Sequence, residues 1–225
     1  GAMLAAGRGA TVNDPEATAW YRKAAEQGHA EAQYNLAVRL LSGRGAPANA
    51  EEAARWLRKA AEQGLTLARV NLGRLYADGQ GVPNNDAEAV KWYRLAADQG
   101  QASAQYYLGR MLADGRGVAR DEREALQWFR RAADQNLPMA QLELANRYLS
   151  GQGVVLDEAK GMQLLEQAAK GGSAEAQFVL AERLLAGRAV LSNEQAGLDW
   201  LRKAANQGYP EACYRLASLY ASGQS

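Results

Sequence analysis

The chain has 225 residues, with 26 Lys and Arg against 25 Asp and Glu, and a formal net charge of +1. That balance disfavours nucleic-acid and membrane-surface binding, which call for a basic excess or stripe, and no apolar run approaches the ~18 residues of a membrane-spanning helix. One Cys and one His exclude an intrachain disulfide and a Cys/His metal site, so neither metal nor cofactor is expected.

In chain order, Gly1-Ala2-Met3 reads as a tag-removal scar. Leu4 to Gly9 then matches Leu112 to Gly117 three periods later. The expectation is a chain that begins at the end of a helix whose body is missing, in a native protein that extends upstream. Asn13 opens the next helix, and Asn49, Asn85, Asp121, Asp157 and Asn193 stand at the same register. All are N-cap types, whose side-chain oxygen accepts from orphan backbone N–H groups. The body of this helix carries a Trp: Trp20, Trp56, Trp92 and Trp128 are 36 residues apart, Leu164 takes the next step and Trp200 follows. The Trp reads as a spacer between helices. An Ala pair comes next in every copy, from Ala24-Ala25 to Ala204-Ala205. Between these run pairs of opposite charge, Arg22/Glu26, Arg58/Glu62, Arg94/Asp98 and Arg130/Asp134, with the signs exchanged together in Glu166/Lys170. At ~0.2–0.5 kcal/mol each, they predict a solvated outer face and not a binding patch.

Short turns such as Gln99-Gly100-Gln101 lead to the other helix of each pair. The Ala102 copy predicts a helix to about Asp114, with Ala104, Leu108 and Leu112 as its buried stripe. Beside Leu108, Gly109 has Gly or Ala in every copy, small enough for a close neighbour. Pro138 and Pro210 fall in first turns, where a missing N–H does no harm, and Asn136 replaces a turn glycine. The helix ends at Gly115, matched by Gly7, Gly43, Gly79, Gly151, Gly187 and Gly223, the left-handed C-cap. A second glycine follows at Gly9, Gly45, Gly81, Gly117 and Gly153, with Ala189 and Ser225 in its place elsewhere. No strand precedes this Gly-x-Gly and no Gly-Lys-Ser/Thr follows, so it reads as a turn rather than a phosphate cradle. The second helix of the pair is predicted to start near Asp121.

Six copies without an insertion predict a solenoid, in which each unit buries its apolar face against its neighbours. The run from Ala102 through Gly109, Gly115-Arg116-Gly117-Val118, Ala125 and Trp128-Phe129-Arg130-Arg131-Ala132-Ala133 resembles a Sel1-like repeat, a relative of the tetratricopeptide repeat with a longer internal loop. The resemblance implies an all-α, right-handed α/α superhelical solenoid over residues 4–225, one elongated domain of about six copies. It also implies a bacterial protein. Some secreted members staple each repeat with a Cys pair; this chain lacks them, which fits either a cytosolic or a cysteine-poor periplasmic protein, and a periplasmic location is expected with the cytoplasm as the alternative.

The same resemblance places the first helix of each pair on a concave face, where positions that vary between copies would carry the individual function. One row is Tyr34, Val70, Tyr106, Leu142, Phe178 and Tyr214, apolar enough to serve equally as half-buried packing. A second is Val38, Arg74, Arg110, Asn146, Glu182 and Ser218, of mixed chemistry. A third holds Tyr107 and Arg215. Tyr and Arg are enriched at binding hot spots. The expected partner-binding set is therefore Tyr34, Arg74, Tyr106, Tyr107, Arg110, Asn146, Phe178, Glu182 and Tyr214. His29 reads as a solvated turn residue and Cys213 as an incidental change where other copies have Gln. With no poised base near a nucleophile, no catalytic residue is assigned, and the expected function is a non-catalytic scaffold that binds a protein partner in its groove. The resemblance offers two alternatives: an immunity protein that neutralises a secreted antibacterial effector, such as a type VI secretion phospholipase, and a cell-wall or β-lactam-linked enzyme, which the missing cysteines disfavour.

Overall fold

The computed structural model describes residues 13–186 and 194–222. Among these are twelve helices and no strand. They are α1 (Asp14–Glu26), α2 (Ala30–Ser42), α3 (Ala50–Glu62), α4 (Thr66–Asp78), α5 (Asp86–Ala97), α6 (Ala102–Asp114), α7 (Glu122–Asp134), α8 (Pro138–Ser150), α9 (Glu158–Lys170), α10 (Ala174–Leu185), α11 (Glu194–Asn206) and α12 (Pro210–Ala221). The expectations that fall on Leu4 to Gly9, Gly187, Ala189, Asn193, Gly223 and Ser225 lie outside the described residues. Two compact units emerge, Gly1–Asp121 and Glu122–Ser225. In the first, α1 to α6 each pack on the next; in the second, α7 to α12 do the same.

The helix ends follow from local chemistry. Asn13, Asn49, Asn85 and Asp157 each accept a backbone N–H three residues on, at 2.9–3.1 Å, as N-caps do. Gly43, Gly79, Gly115 and Gly151 close the other helix with φ of 67–74°. The second glycine is held for a different reason. A Cβ on Gly45, Gly81 or Gly117 would lie 2.2–2.3 Å from the backbone of Asp14, Ala50 or Asp86. Each loop thus lies directly on the first turn of the preceding Trp-type helix.

Small residues bring the helices together. Ala60, Ala61, Ala96, Ala97, Ala132, Ala133, Ala168 and Ala169 are buried, with Leu36, Leu72 and Leu108 among the fully buried side chains. At Gly73 the close neighbour is a ring: an added Cβ would meet Tyr93 of α5 at 2.8 Å. A side chain at one register also caps the end of the preceding helix. The amides of Gln33, Gln105 and Gln177 donate to the carbonyls of Ala25, Ala97 and Ala169 at 3.0–3.3 Å. Arg69 Nε does the same to Ala61 at 3.1 Å, and the Cys213 thiol lies 3.5 Å from the Ala205 carbonyl. Carbonyls in a helix's last turn have no intrahelical donor; here the turn N–H three residues on supplies one, and this register adds a second.

The charged outer face departs from expectation. Glu166 and Lys170 do close at 2.7 Å. Arg22 instead reaches Glu52 of α3, and Arg58 reaches the Tyr76 hydroxyl of α4. A carboxylate of the next repeat or a buried hydroxyl, each partly or fully shielded from water, gives a stronger charge-assisted bond than a solvated acid one turn away. The indoles are engaged as well: Trp56, Trp92 and Trp128 donate to Glu52, Glu88 and Glu124 at 3.1–3.2 Å. Trp92 and Trp128 are buried, whereas Trp20 is 48% exposed. This face is bonded between repeats as well as solvated.

Candidate functional site

Within the first unit, α4, α5 and α6 enclose a cleft of about 260 Å³. The 36-residue period puts Arg74 and Arg110 at one register of α4 and α6, and both line it. Tyr107 stands one turn before Arg110 and forms part of the lining with Tyr93. The two rings stack, with centroids 5.2 Å apart and planes 24° apart, and Tyr106 meets Tyr107 edge-on at 5.5 Å. Asp78, Asp114 and Arg116 complete the charged rim.

The electrostatics sort these charges. Arg116 forks onto Asp86 through Nε at 3.2 Å and Nη2 at 2.7 Å; that hydrogen bond raises its pKa still further, so this guanidinium is committed to the scaffold. Arg110 lies 4.0 Å from Asp114, with both side chains about half exposed. Arg74 is exposed. Burial, helped by Tyr107 and Asp78, pushes the Tyr93 hydroxyl far above its ordinary range. The floor therefore stays a neutral aromatic surface, and the rim offers Arg74 and Arg110. Guanidinium groups fork onto carboxylates and stack on rings, so the cleft suits an acidic or aromatic side chain.

Of the nine residues proposed from sequence, the structure brings Arg74, Tyr107 and Arg110 together here. Tyr106 is a correction: it is 9% exposed and supports Tyr107 from behind, because this register of α6 turns toward the packed interior. Tyr34 is half-buried, its hydroxyl 3.4 Å from the Asn71 amide. The others lie in the second unit. Phe178 is half-buried against the core and tilts onto Tyr209 at 5.4 Å. Glu182 accepts from Arg215 at 3.0 Å. Asn146 is exposed and Tyr214 is 80% exposed. Sequence reasoning missed Tyr93, which sits on the Trp-type helix next to Trp92. The signal was the smallness of Gly73, which marks where a large neighbour must fit.

The Sel1 repeat family matches seven consecutive segments: residues 1–29, 30–65, 66–101, 102–137, 138–173, 174–209 and 210–225. Among solved structures, a Sel1 repeat protein from Oxalobacter formigenes is 33% identical, with a TM-score of 0.82 over 87% of this chain and 80% of that one. The protein c5321, a protective antigen present in uropathogenic Escherichia coli strains, is 34% identical, with a TM-score of 0.61 over 99% of this chain; the match spans 55% of c5321. Immunity protein Pa5087 from Pseudomonas aeruginosa shares the fold at 24% identity, with a TM-score of 0.57 over 88% of this chain and 69% of that one. No curated protein matches the chain.

Proposed function

The chain belongs to the Sel1 repeat family, typically protein-interaction scaffolds, and from that premise we propose that it is a non-catalytic scaffold that receives a partner protein's side chains in the Tyr93–Tyr107 cleft. The observation that carries this reading is the convergence of Arg74, Tyr107 and Arg110 over a stacked aromatic floor. The volume helps decide between ligand classes. At about 260 Å³ the cleft falls below the ~300–1,000 Å³ typical of small-molecule sites, and suits one or two side chains of a larger partner.

The test is titration of variants against the partner that co-purifies with the intact chain, with helicity checked first. Tyr107→Ala and Arg110→Ala are each expected to weaken binding by more than ~1 kcal/mol, the scale of a hot-spot contact. Exchanging the exposed Glu166 and Lys170 serves as the control. If that exchange abolishes binding while both cleft variants bind normally, the cleft is not the site. A narrower reading makes the partner a secreted antibacterial effector, supported by the fold shared with Pa5087. Its test is whether producing the chain protects a sensitive strain from a candidate effector.

A further inference from the structure

The fourth interhelix loop and the start of α9 depart together from the other copies. In the copy two periods earlier, Gly79-Gln80-Gly81-Val82 continues as Pro83-Asn84. There the Asn84 amide donates to the Ala77 carbonyl at 2.7 Å, and the loop lies on the first turn of α3. The fourth copy keeps Gly151-Gln152-Gly153-Val154 but continues as Val155-Leu156. Leucine has no side-chain amide to donate. A Cβ on Gly153 would meet nothing nearer than a Glu122 carboxylate oxygen at 3.8 Å, so this loop stands off the first turn of α7. The residue three after the N-cap changes too: Glu52, Glu88 and Glu124 accept from an indole, but here the Trp has become Leu164 and the Glu has become Lys160.

Beside this loop lies an open cavity of about 450 Å³ within the second unit. Val155 is 88% exposed and Leu156 61%, and Leu126 extends the apolar side. On the other side Lys160 Nζ lies 4.6 Å from the centre of the Tyr148 ring, with Arg130 beside it. Two acids lie nearby and both are engaged: the Asp157 carboxylate caps the Lys160 backbone N–H at 2.9 Å, and the Glu122 carboxylate pairs with Arg147 at 3.7 Å. Hydrogen bonding from Lys160, and then Arg130, holds the Tyr148 phenol below its ordinary range, in keeping with a cationic local field. Exposed adjacent aliphatic side chains rimmed by cations mark an interaction surface, complementary to an apolar segment that carries negative charge.

We propose that this loop is a second docking site, for a partner segment that presents aliphatic side chains flanked by carboxylates. It lies in the second unit and asks nothing of the Tyr107 cleft. Arg130, an exposed residue of the outer face, also forms part of the cationic rim.

The test uses the full chain and three short synthetic peptides: Leu-Leu flanked by glutamates, the same core flanked by lysines, and a Gln-Gln core flanked by glutamates. Backbone amide NMR shifts are the readout. The acidic leucine peptide is expected to shift amides of residues 153–160. Its affinity should fall about tenfold, the loss of one hot-spot contact, in Leu156→Asp and in Lys160→Glu. Leu156 and Lys160 are exposed, so both variants should keep wild-type helicity. Equal binding of the lysine peptide, equal binding of the Gln-Gln peptide, shifts confined to other residues, or no binding at all would each overturn the proposal. So would a self-associated chain that Leu156→Asp makes monomeric, which would show a second copy to be the occupant.

Discussion

The loops 79–85 and 151–157 begin with the same four residues, Gly-Gln-Gly-Val, and sit differently. The second glycine of the first has its Cβ position filled by the Ala50 backbone, whereas that of the other faces a carboxylate oxygen at ordinary contact distance. A letter kept at a fixed period therefore need not do the same physical work in each copy. The converse also holds: Gln177 and Arg69 are different letters that make the same bond to a helix end.

The largest expected effect tests the first half of this comparison. Both glycines have positive φ, +71° at Gly81 and +70° at Gly153, so alanine at either costs about 1 kcal/mol in backbone strain. Only at Gly81 does the Cβ also overlap backbone, adding about 1–3 kcal/mol. Gly81→Ala should therefore lose about 3 kcal/mol and Gly153→Ala about 1. Amide exchange of the flanking helices is the suitable measurement, because repeat arrays unfold in parts. Equal losses would break the comparison.

The helix-end clamp comes next. Gln177→Ala leaves the Ala169 carbonyl without its side-chain donor and should cost about 1 kcal/mol. Cys213→Ala, at an exposed weak donor, should stay within ~0.5 kcal/mol. Chemical denaturation of the two variants side by side distinguishes them.

Acid should weaken the start of the first unit. Hydrogen bonds from Arg44, then Arg39, hold the Asp14 carboxyl below its ordinary range, and Arg22 does the same for Glu52. With folded pKa values below the unfolded ones, this stabilisation is present above the ordinary carboxylate pKa of ~4 and is lost as pH falls through the folded values. Amide protection in α1 to α3 should fall as pH drops below about 4, and Asp14→Asn should flatten the part that α1 contributes. An unchanged profile in that variant would remove Asp14 as a cause.

The smallest effect belongs to the outer face. Glu166→Gln should cost no more than ~0.5 kcal/mol, since both it and Lys170 are more than half exposed. A larger loss in thermal denaturation would mean the pair is coupled to the packing of α9.

The paired helices, and the ends that Asn or Asp and Gly mark within the described residues, were legible in the sequence because their causes are local. Asn49 caps a helix through an N–H three residues away, and Gly115 ends one through its own φ. The period of 36 likewise follows from one supersecondary unit repeated. The candidate cleft was legible in part: Arg74 and Arg110 share a register, Tyr107 stands one turn before Arg110, and Tyr and Arg are residue types that mark a contact surface. What tertiary structure decided was which side of a helix remains open. Tyr106 and Tyr107 are adjacent letters, yet one is buried and the other lines the cleft, because α6 packs with one of those faces turned inward. Tyr93 could not be placed from its own helix, since its position depends on the space above Gly73, 20 residues away. The seat of the fourth loop was equally hidden. Helix formation reads nearest neighbours along the chain, whereas exposure and cavities are set by which side chains arrive from the next helix.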